Sequence, residues 1–370
     1  MVAGFGPVTA GEIVALDARL IGGQSTGDST YWTGLLHGLQ ALDSQIQYLL
    51  FTNGSPPEEI PDCDRFRWIS VPSRRNRWWS LFRFPLSARR MGASAIHTQY
   101  NLSPLAGTSG ITTVHDVSFY VGPEWFRPRD RLLLSRFVPA SCRRAARILT
   151  VSETSKREIA ANVPDVQEKI RVTHPAAGLG IKAMHPNRAR EIIREMGVLR
   201  PYILTVGTRW PRKNMGLAVA ACELLPESLP HRLVLTGKSG WGEQEAGART
   251  QSVGYVTDEQ LTALYSCADL YLAPSRHEGF GITALEAMRC GCPVLASTGG
   301  ALPEAVGKAG ELEPSWEPEA WAARMALLLG DSSKLQRLRE AGLARERTFT
   351  WEETARRTES VYREVLHDRP

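Results

Sequence analysis

An α/β fold in two domains, each a parallel sheet flanked by helices, is what the sequence predicts. Three observations carry the prediction. The chain has 370 residues, long for a single hydrophobic core. Short β-branched or apolar runs alternate with helix-length segments from end to end, the pattern of strands joined by helical crossovers. A Pro/Gly/Ala stretch near the middle, His174-Pro175-Ala176-Ala177-Gly178-Leu179-Gly180, reads as a boundary.

Residues 1–11 read as a loose leader ahead of the first strand. In the first half the buried strands are expected at Ile13-Val14-Ala15-Leu16, Tyr48-Leu49-Leu50-Phe51, Ile111-Thr112-Thr113-Val114, Arg147-Ile148-Leu149-Thr150-Val151 and Ile170-Arg171-Val172-Thr173. In the second half they are expected at Tyr202-Ile203-Leu204-Thr205-Val206, Leu233-Val234-Leu235-Thr236, Leu270-Tyr271-Leu272-Ala273 and Pro293-Val294-Leu295-Ala296. The expected domains are residues 1–175 and 176–350, with a last helix from about Trp351 to Val365. Ligands of open α/β sheets sit beyond the carboxyl ends of the strands. The chemistry is therefore expected in a cleft where two such sheets face each other.

Composition narrows the class. An apolar fraction of 43% with 22% charged residues fits an ordinary soluble globular protein. No apolar stretch approaches the roughly 20 residues of a membrane helix. The opening residues 1–7 lack the basic and apolar blocks of a secretory signal. Six scattered cysteines, Cys63, Cys142, Cys222, Cys267, Cys290 and Cys292, show no metal-ligand spacing and read as reduced thiols of a cytoplasmic protein. No metal site is expected. Charge is uneven: residues 1–177 hold 20 Lys+Arg against 15 Asp+Glu, while residues 178–370 hold 24 of each. From Arg65 through His115 there is no acidic residue, which points to an anionic partner for the first half.

The strongest motif is Ser275-Arg276-His277-Glu278-Gly279-Phe280-Gly281-Ile282-Thr283-Ala284-Leu285-Glu286-Ala287-Met288, a turn after a strand that opens a helix from Thr283 to about Cys290. The Gly279-Phe280-Gly281 turn exposes backbone N–H groups at the helix start, a place that binds phosphate without a cation. Glu278 before the helix and Glu286 within it can address different parts of one ligand; a solvated Glu and a capping Glu are the bland alternative. A second constellation is Val206-Gly207-Thr208-Arg209-Trp210-Pro211-Arg212-Lys213-Asn214. Adjacent Arg212 and Lys213 supply a forked donor and a point charge, a pairing suited to an anionic ligand such as a diphosphate. Two surface cations after a turn are the alternative. Thr113-Val114-His115-Asp116 ends a strand with two polar side chains, where a hydrogen-bonded core histidine is the common finding. The Gly-rich segment from Gly22 through Gly27, Asp28 and Ser29 to Tyr31 follows the first strand, and glycine lets such a loop approach a ligand closely.

Glu278 and Glu286, separated by seven residues around Gly279-Phe280-Gly281, resemble the E-x7-E signature of the family 4 retaining glycosyltransferases, whose fold is GT-B. Gly254-Tyr255-Val256-Thr257-Asp258-Glu259-Gln260-Leu261 and Leu302-Pro303-Glu304 resemble the flanking segments, and the likeness runs from about Asp17 to Tyr362. The resemblance implies two Rossmann-like domains, an acceptor-side one (1–175) and a nucleotide-sugar donor one (176–350), with helix 351–370 returning to the first. It implies that Arg212 and Lys213 contact the donor phosphates, Glu278 the transferred sugar, Glu286 the ribose and His115 the sugar. Arg209, Tyr255, Phe280, Gly281, Ile282 and Thr283 are expected to line the donor site. Arg19, Gly27, Asp28 and Asp116 are expected on the acceptor side. This sequence departs from the pattern at Thr208, where some members carry Arg, and lacks the usual G-[IV]-G core, having Gly27-Asp28-Ser29.

Other motifs are set aside. Gly237-Lys238-Ser239 lacks the upstream glycine of a P-loop, Arg232 standing there, and Gly4-x-Gly6 precedes any strand. Asp62-Cys63-Asp64 has D-x-D spacing but lies in a Pro-bounded acidic loop. Trp78, Trp79, Phe82 and Phe84 stand among the arginines of the segment 65–90, a composition that can meet an anionic membrane and a lipid-linked acceptor. Pro85 is expected to break any continuous helix there.

The expected reaction is transfer of a hexose or deoxyhexose from a nucleoside-diphosphate sugar to a hydroxyl of a glycan, lipid-linked or small-molecule acceptor, with retained anomeric configuration. The resemblance leans toward mannosyl- or rhamnosyl-type members making surface polysaccharide. No cofactor, metal or nucleic acid is expected; the location is the cytoplasm, with peripheral contact on the inner membrane face as an option. A sugar-nucleotide epimerase of the same fold and a non-catalytic nucleotide or glycan binder are the alternatives.

Overall fold

A computed structural model describes residues 12–21, 27–55, 57, 60, 63–241 and 247–368. The leader 1–11, Gly22 through Thr26 of the Gly-rich segment, and Asp62 lie outside the described residues.

The chain forms two compact units. The first comprises residues 1–120, 127–174 and 351–370; the second comprises 121–126 and 175–350. The first unit holds the strands β1 (Ile13–Asp17), β2 (Gln47–Thr52), β3 (Phe66–Ser70), β4 (Ala95–Gln99), β5 (Gly110–Thr113), β6 (Arg147–Thr150) and β7 (Ile170–Val172), in the order β3-β2-β1-β4-β5-β6-β7. The second holds β8 (Tyr202–Val206), β9 (Arg232–Thr236), β10 (Thr250–Gly254), β11 (Leu270–Ala273), β12 (Val294–Ser297) and β13 (Glu311–Glu313), in the order β10-β9-β8-β11-β12-β13. Every strand pair is parallel. The central strands are buried on both faces, which is why they read as continuous apolar runs rather than alternating ones.

Strand order reverses between β1 and β4 in one sheet and between β8 and β11 in the other. At such a switch point successive crossovers leave the sheet on opposite faces, so the loops beyond the carboxyl ends part and open a crevice. In the second unit those loops are the two that carry Arg212-Lys213 and Glu278.

The last helix, Trp351–His367, belongs to the first unit. Polar and steric contacts seat it. Tyr362 Oη lies 2.7 Å from Nδ1 of buried His97, whose Nε2 lies 2.7 Å from Thr113 Oγ1. Tyr48 donates to Glu359 at 3.2 Å, Arg147 to Glu364 at 2.7 Å and Thr354 to the His174 carbonyl at 2.5 Å. Burial, helped by His115, drives the His97 pKa down to about 3 and keeps the ring neutral. Gly34 and Gly38 of the Gly27–Ala41 helix face Trp351 so closely that any side chain there would collide with it.

Two sequence expectations need correction. Pro85 does not break the helical stretch 76–90. An α-turn (Asn76–Trp78) runs into a π-turn (Trp79–Arg83), where Phe84 N bonds Trp79 O, and then into the helix Phe84–Arg90. The wider π-turn takes up the strain of the missing donor, and Pro85 falls in the first turn of the resumed α-helix, where proline is tolerated. Strands β3, β4, β10 and β13 are absent from the expected runs, being short and interrupted by Arg67, His97, Gln251 and Glu311.

Candidate functional site

The second unit's site is built from two loops that fix a buried carboxylate between two cations. After β8, Gly207 adopts φ 151° and the chain turns through the 3-10 segment Pro211–Lys213, closed by Asn214 in the left-handed region. Arg276 N donates to Arg212 O at 2.7 Å, stitching this loop to the one after β11. Lys213 Nζ then reaches Glu278 Oε1 at 2.5 Å, and Arg212 Nη1 reaches Glu278 Oε2 at 3.2 Å and the His277 carbonyl at 3.1 Å. Ser275 Oγ donates to Glu278 Oε1 at 2.6 Å. Burial by itself would raise the Glu278 pKa, but Lys213 and Arg212, with the hydrogen bonds from Lys213 and Ser275, outweigh it and hold the carboxyl down at about 2. The group is an anion throughout the physiological range. Its contribution to stability is present above the unfolded carboxylate value and is lost only as pH falls through 2.

A third loop braces this arrangement. Ser297 donates to the Ser275 carbonyl at 2.5 Å and Ala301 N to the Glu278 carbonyl at 2.9 Å. Gly300 has φ 60°, and a Cβ there would lie 2.3 Å from Glu278 O. Ser297 and the Gly299-Gly300 pair were missed by sequence reasoning, and Ser275 stood in the motif without a role; the glycine pair following a strand was the available signal, since glycine marks a close backbone approach.

Past Glu278, Gly281 caps the helix Ile282–Arg289 at φ 110°. Phe280 is buried and meets Phe349 edge-to-face at 5.2 Å. Ile282 and Thr283 form the first, half-buried turn. Glu286 faces elsewhere than Glu278: its Oε2 accepts from Tyr265 Oη at 3.2 Å and its Oε1 from Gly178 N at 3.3 Å. Burial pushes its pKa up to about 7, further raised by Asp258, against the lowering effect of Tyr265, Gly178 and Arg289. Two glutamates on one motif are thus driven apart by their surroundings, one always ionised and one near its midpoint at neutral pH.

Arg209 and Tyr255 are not brought to Glu278. Arg209 turns toward β10, its guanidinium donating to Ser252 Oγ, and Tyr255 is exposed with Lys238 Nζ 5.4 Å from its ring centre. Residues 121–126 pack with the second unit, where the Trp125 ring lies 6.4 Å from His277; nothing in the sequence signalled that.

In the first unit, Asp28 Oδ1 and His115 Nε2 come within 3.7 Å, and Tyr31 meets the His115 ring edge-on at 4.8 Å. Burial lowers the His115 pKa, while Asp28 and Asp116 pull it up. Gly27 opens the helix that carries Asp28. Asp116 folds back to accept from Ser118 N at 2.9 Å and Ser118 Oγ at 2.6 Å. Arg19 is held away from this group: it forms a two-point pair with Asp17, at 2.8 and 2.6 Å, and stacks 4.1 Å above the Trp79 ring. Tyr100, beside His115 at 5.8 Å, has φ 59°, a rare conformation for an aromatic residue. Among the described residues no His, Cys, Asp and Glu side chains gather in a metal-binding group, and no helix is long and apolar enough to cross a membrane.

Comparison with known proteins agrees with this architecture. Residues 200–331 match the family model for glycosyl transferases group 1, and residues 26–179 match that for glycosyltransferase family 4. The chain is 34% identical over 266 residues to the O-antigen chain mannosyltransferase B of Escherichia coli, covering 68% of this chain and 70% of that one. It is 33% identical over 216 residues to a D-inositol 3-phosphate glycosyltransferase of Segniliparus rotundus, covering 54% of this chain but 48% of that relative. Among solved structures, a sucrose-phosphate synthase from Thermosynechococcus elongatus superposes with a TM-score of 0.74 over 97% of this chain and all of the other, at 22% identity. WaaG, a glycosyltransferase involved in lipopolysaccharide biosynthesis, superposes with a TM-score of 0.72 over 94% of this chain and 98% of that one, at 18% identity.

Proposed function

Since the chain belongs to the family 4 (group 1) glycosyltransferases and has their two-unit GT-B fold, we propose that it transfers mannose or a related hexose or deoxyhexose from a nucleoside-diphosphate sugar to a glycan hydroxyl in polysaccharide synthesis, with retained configuration and no metal. The observation that carries the reading is the Lys213–Glu278–Arg212 cluster at the β8/β11 switch point, next to the start of the Ile282–Arg289 helix. A departing diphosphate gains negative charge as the C1–O bond breaks. Two prepositioned cations and a helix N-terminus stabilise that charge without reorganising.

In this reading Arg212, Lys213 and the amides around Phe280 and Gly281 take the diphosphate, with Ile282 and Thr283 lining the helix start. Glu278 holds a hydroxyl of the transferred sugar and Glu286 the ribose. Arg209 and Tyr255 are assigned to the outer donor site. His115 with Asp28 is assigned to a sugar hydroxyl, and Gly27, Asp116 and Arg19 to the acceptor side. The acceptor oxygen bonds C1 on the face the diphosphate leaves, and its proton passes to the leaving phosphate oxygen. The mannosyltransferase relative supports the choice of sugar.

The test is thermal stabilisation by GDP, UDP, ADP and dTDP at pH 6 and pH 8. One nucleotide is expected to raise Tm by several degrees, about 3 kcal/mol at a hundredfold excess over Kd. A Lys213→Ala/Glu286→Ala double variant should lose the shift. Ribose hydroxyls donate to an ionised Glu286, so binding expels the proton that burial retains, and affinity should rise about tenfold from pH 6 to pH 8. Glu286→Gln should abolish that slope. Absence of a shift with every nucleotide would sink the assignment. The sign for stability runs the other way: Glu286 has a raised folded pKa, about 7, so its contribution is full below the unfolded value and is lost as pH rises through 7.

Peripheral membrane contact is assigned to the helical stretch 76–90. Trp78, Phe82 and Leu86 are exposed, the first two with ring centres 4.4 Å apart, among exposed Arg74, Arg75, Arg77, Arg83, Arg89 and Arg90. Exposed Phe137 joins them through Arg77, 6.0 Å from its ring. Sedimentation with phosphatidylglycerol-containing vesicles should capture the protein at low salt, and Trp78→Ser/Phe82→Ser should abolish capture. Equal sedimentation with neutral vesicles would count against the assignment.

A further inference from the structure

The chain passes between its units four times, and two of these passages follow His174 and Thr350. On the second unit's side both passages are fastened to the same short piece of structure, the phosphate turn and the Ile282–Arg289 helix. At the first passage Glu286 accepts from Gly178 N at 3.3 Å, and Arg289 Nη1 donates to the carbonyls of Gly178 at 2.9 Å, Ile181 at 3.3 Å and Ala177 at 3.4 Å. At the second, Arg289 forms a two-point contact with the buried Glu346 Oε1, at 2.8 and 2.6 Å. Three residues on, Phe349 packs against Phe280 at 5.2 Å, with the Arg345 guanidinium 4.6 Å from the Phe349 ring centre. A single guanidinium therefore ties three carbonyls of one passage to a carboxylate beside the other.

We propose that Arg289 is a positioning residue that couples occupancy of the nucleotide site to the rigidity of both passages. The inference rests on the reading of Glu286 as the ribose partner. A carboxylate offers about four lone-pair sites, of which Tyr265 and Gly178 take one on each oxygen. Ribose hydroxyls use the remaining sites and keep the group ionised, which strengthens the long Gly178 N–H bond. A phosphate on the Phe280 turn orders that turn against Phe349. Arg289 transmits both effects because its planar fork sets donors toward both passages at once, a span that the single ammonium of a lysine does not cover.

The experiment is amide hydrogen exchange on the full chain, with and without whichever of GDP, UDP, ADP and dTDP gives the largest thermal shift, with Kd measured in parallel by calorimetry. Wild type is expected to slow exchange about fivefold or more at 176–181 and 347–350 as well as at 279–286. Arg289→Lys should keep nucleotide affinity within about threefold, while protection at 176–181 and 347–350 falls below about twofold. Arg289→Lys keeps the charge and stem, and Glu346→Gln, which leaves the carbonyl contacts in place, should lose protection at 347–350 alone. Protection confined to 279–286 in wild type, or unchanged at the passages in Arg289→Lys, overturns the coupling while leaving the nucleotide site standing. Failure of every nucleotide to bind overturns both.

Discussion

Lys213→Ala is expected to lower kcat by about 10²–10³-fold while the protein stays folded. The side chain ends 2.5 Å from Glu278 and lies on a 3-10 turn that is held by backbone bonds, Lys213 N to Trp210 O at 2.8 Å and Arg276 N to Arg212 O at 2.7 Å. Truncation leaves that turn in place and removes one of the two charges that the proposed mechanism sets against the leaving diphosphate. A second consequence separates this from a general loss of structure. Lys213 is the larger of the two electrostatic effects lowering the Glu278 pKa, so the variant's Glu278 should take up a proton at higher pH. At saturating donor, where Glu286 is already ionised by the ribose, the acid limb of the pH–kcat profile should then move upward in Lys213→Ala and stay low in wild type. Steady-state kinetics with the donor identified by thermal shift reads both effects. Activity within threefold of wild type would remove Lys213 from the reaction.

Gly38→Ala should be the most damaging single-methyl change in the first unit. A Cβ at Gly38 would stand 2.2 Å from the Trp351 carbonyl oxygen and 2.8 Å from Ala355 Cβ. Backbone cannot swing aside as a side chain can, so the helices Gly27–Ala41 and Trp351–His367 must separate. Alanine gains roughly 0.5–1 kcal/mol of helix propensity over glycine, while overpacking costs about 1–3 kcal/mol or more. A net loss of about 2 kcal/mol is expected, read as a lower urea midpoint. Gly34→Ala meets the Trp351 indole at 2.1 Å rather than backbone and should cost less, because the ring can turn. If Gly38→Ala matches wild type in urea, the close approach is wrong.

Much of this protein can be read one residue run at a time. Parallel strands buried on both faces must be apolar throughout, so Tyr202–Val206 and Leu270–Ala273 announce themselves. β3 and β4 do not, because Phe66–Ser70 lies at the sheet edge and Ala95–Gln99 buries a histidine held by Thr113 and by Tyr362, the latter 265 residues away. The site divides in the same way. Arg212, Lys213, Glu278 and Glu286 stand in local motifs. Arg289 has no local pattern, since it acts through partners on other elements. Arg19 is legible as a charge near the Gly-rich segment, yet Asp17 and Trp79 claim it.

The sequence by itself determined the fold class, the alternation that builds two parallel sheets, and the residue types of the turn that opens the Ile282–Arg289 helix. These follow from periodicity, glycine placement and charge, which are properties of neighbours along the chain. Only the tertiary structure decided that Glu278 is a permanent anion and Glu286 a titrating one, that the helix 76–90 runs on through Pro85, and that Arg289 ties both passages to one helix. Ionisation, strain relief and coupling depend on burial and on partners brought together across the fold, as Lys213 and Glu278 are from positions 65 residues apart. No local run of residues carries that information.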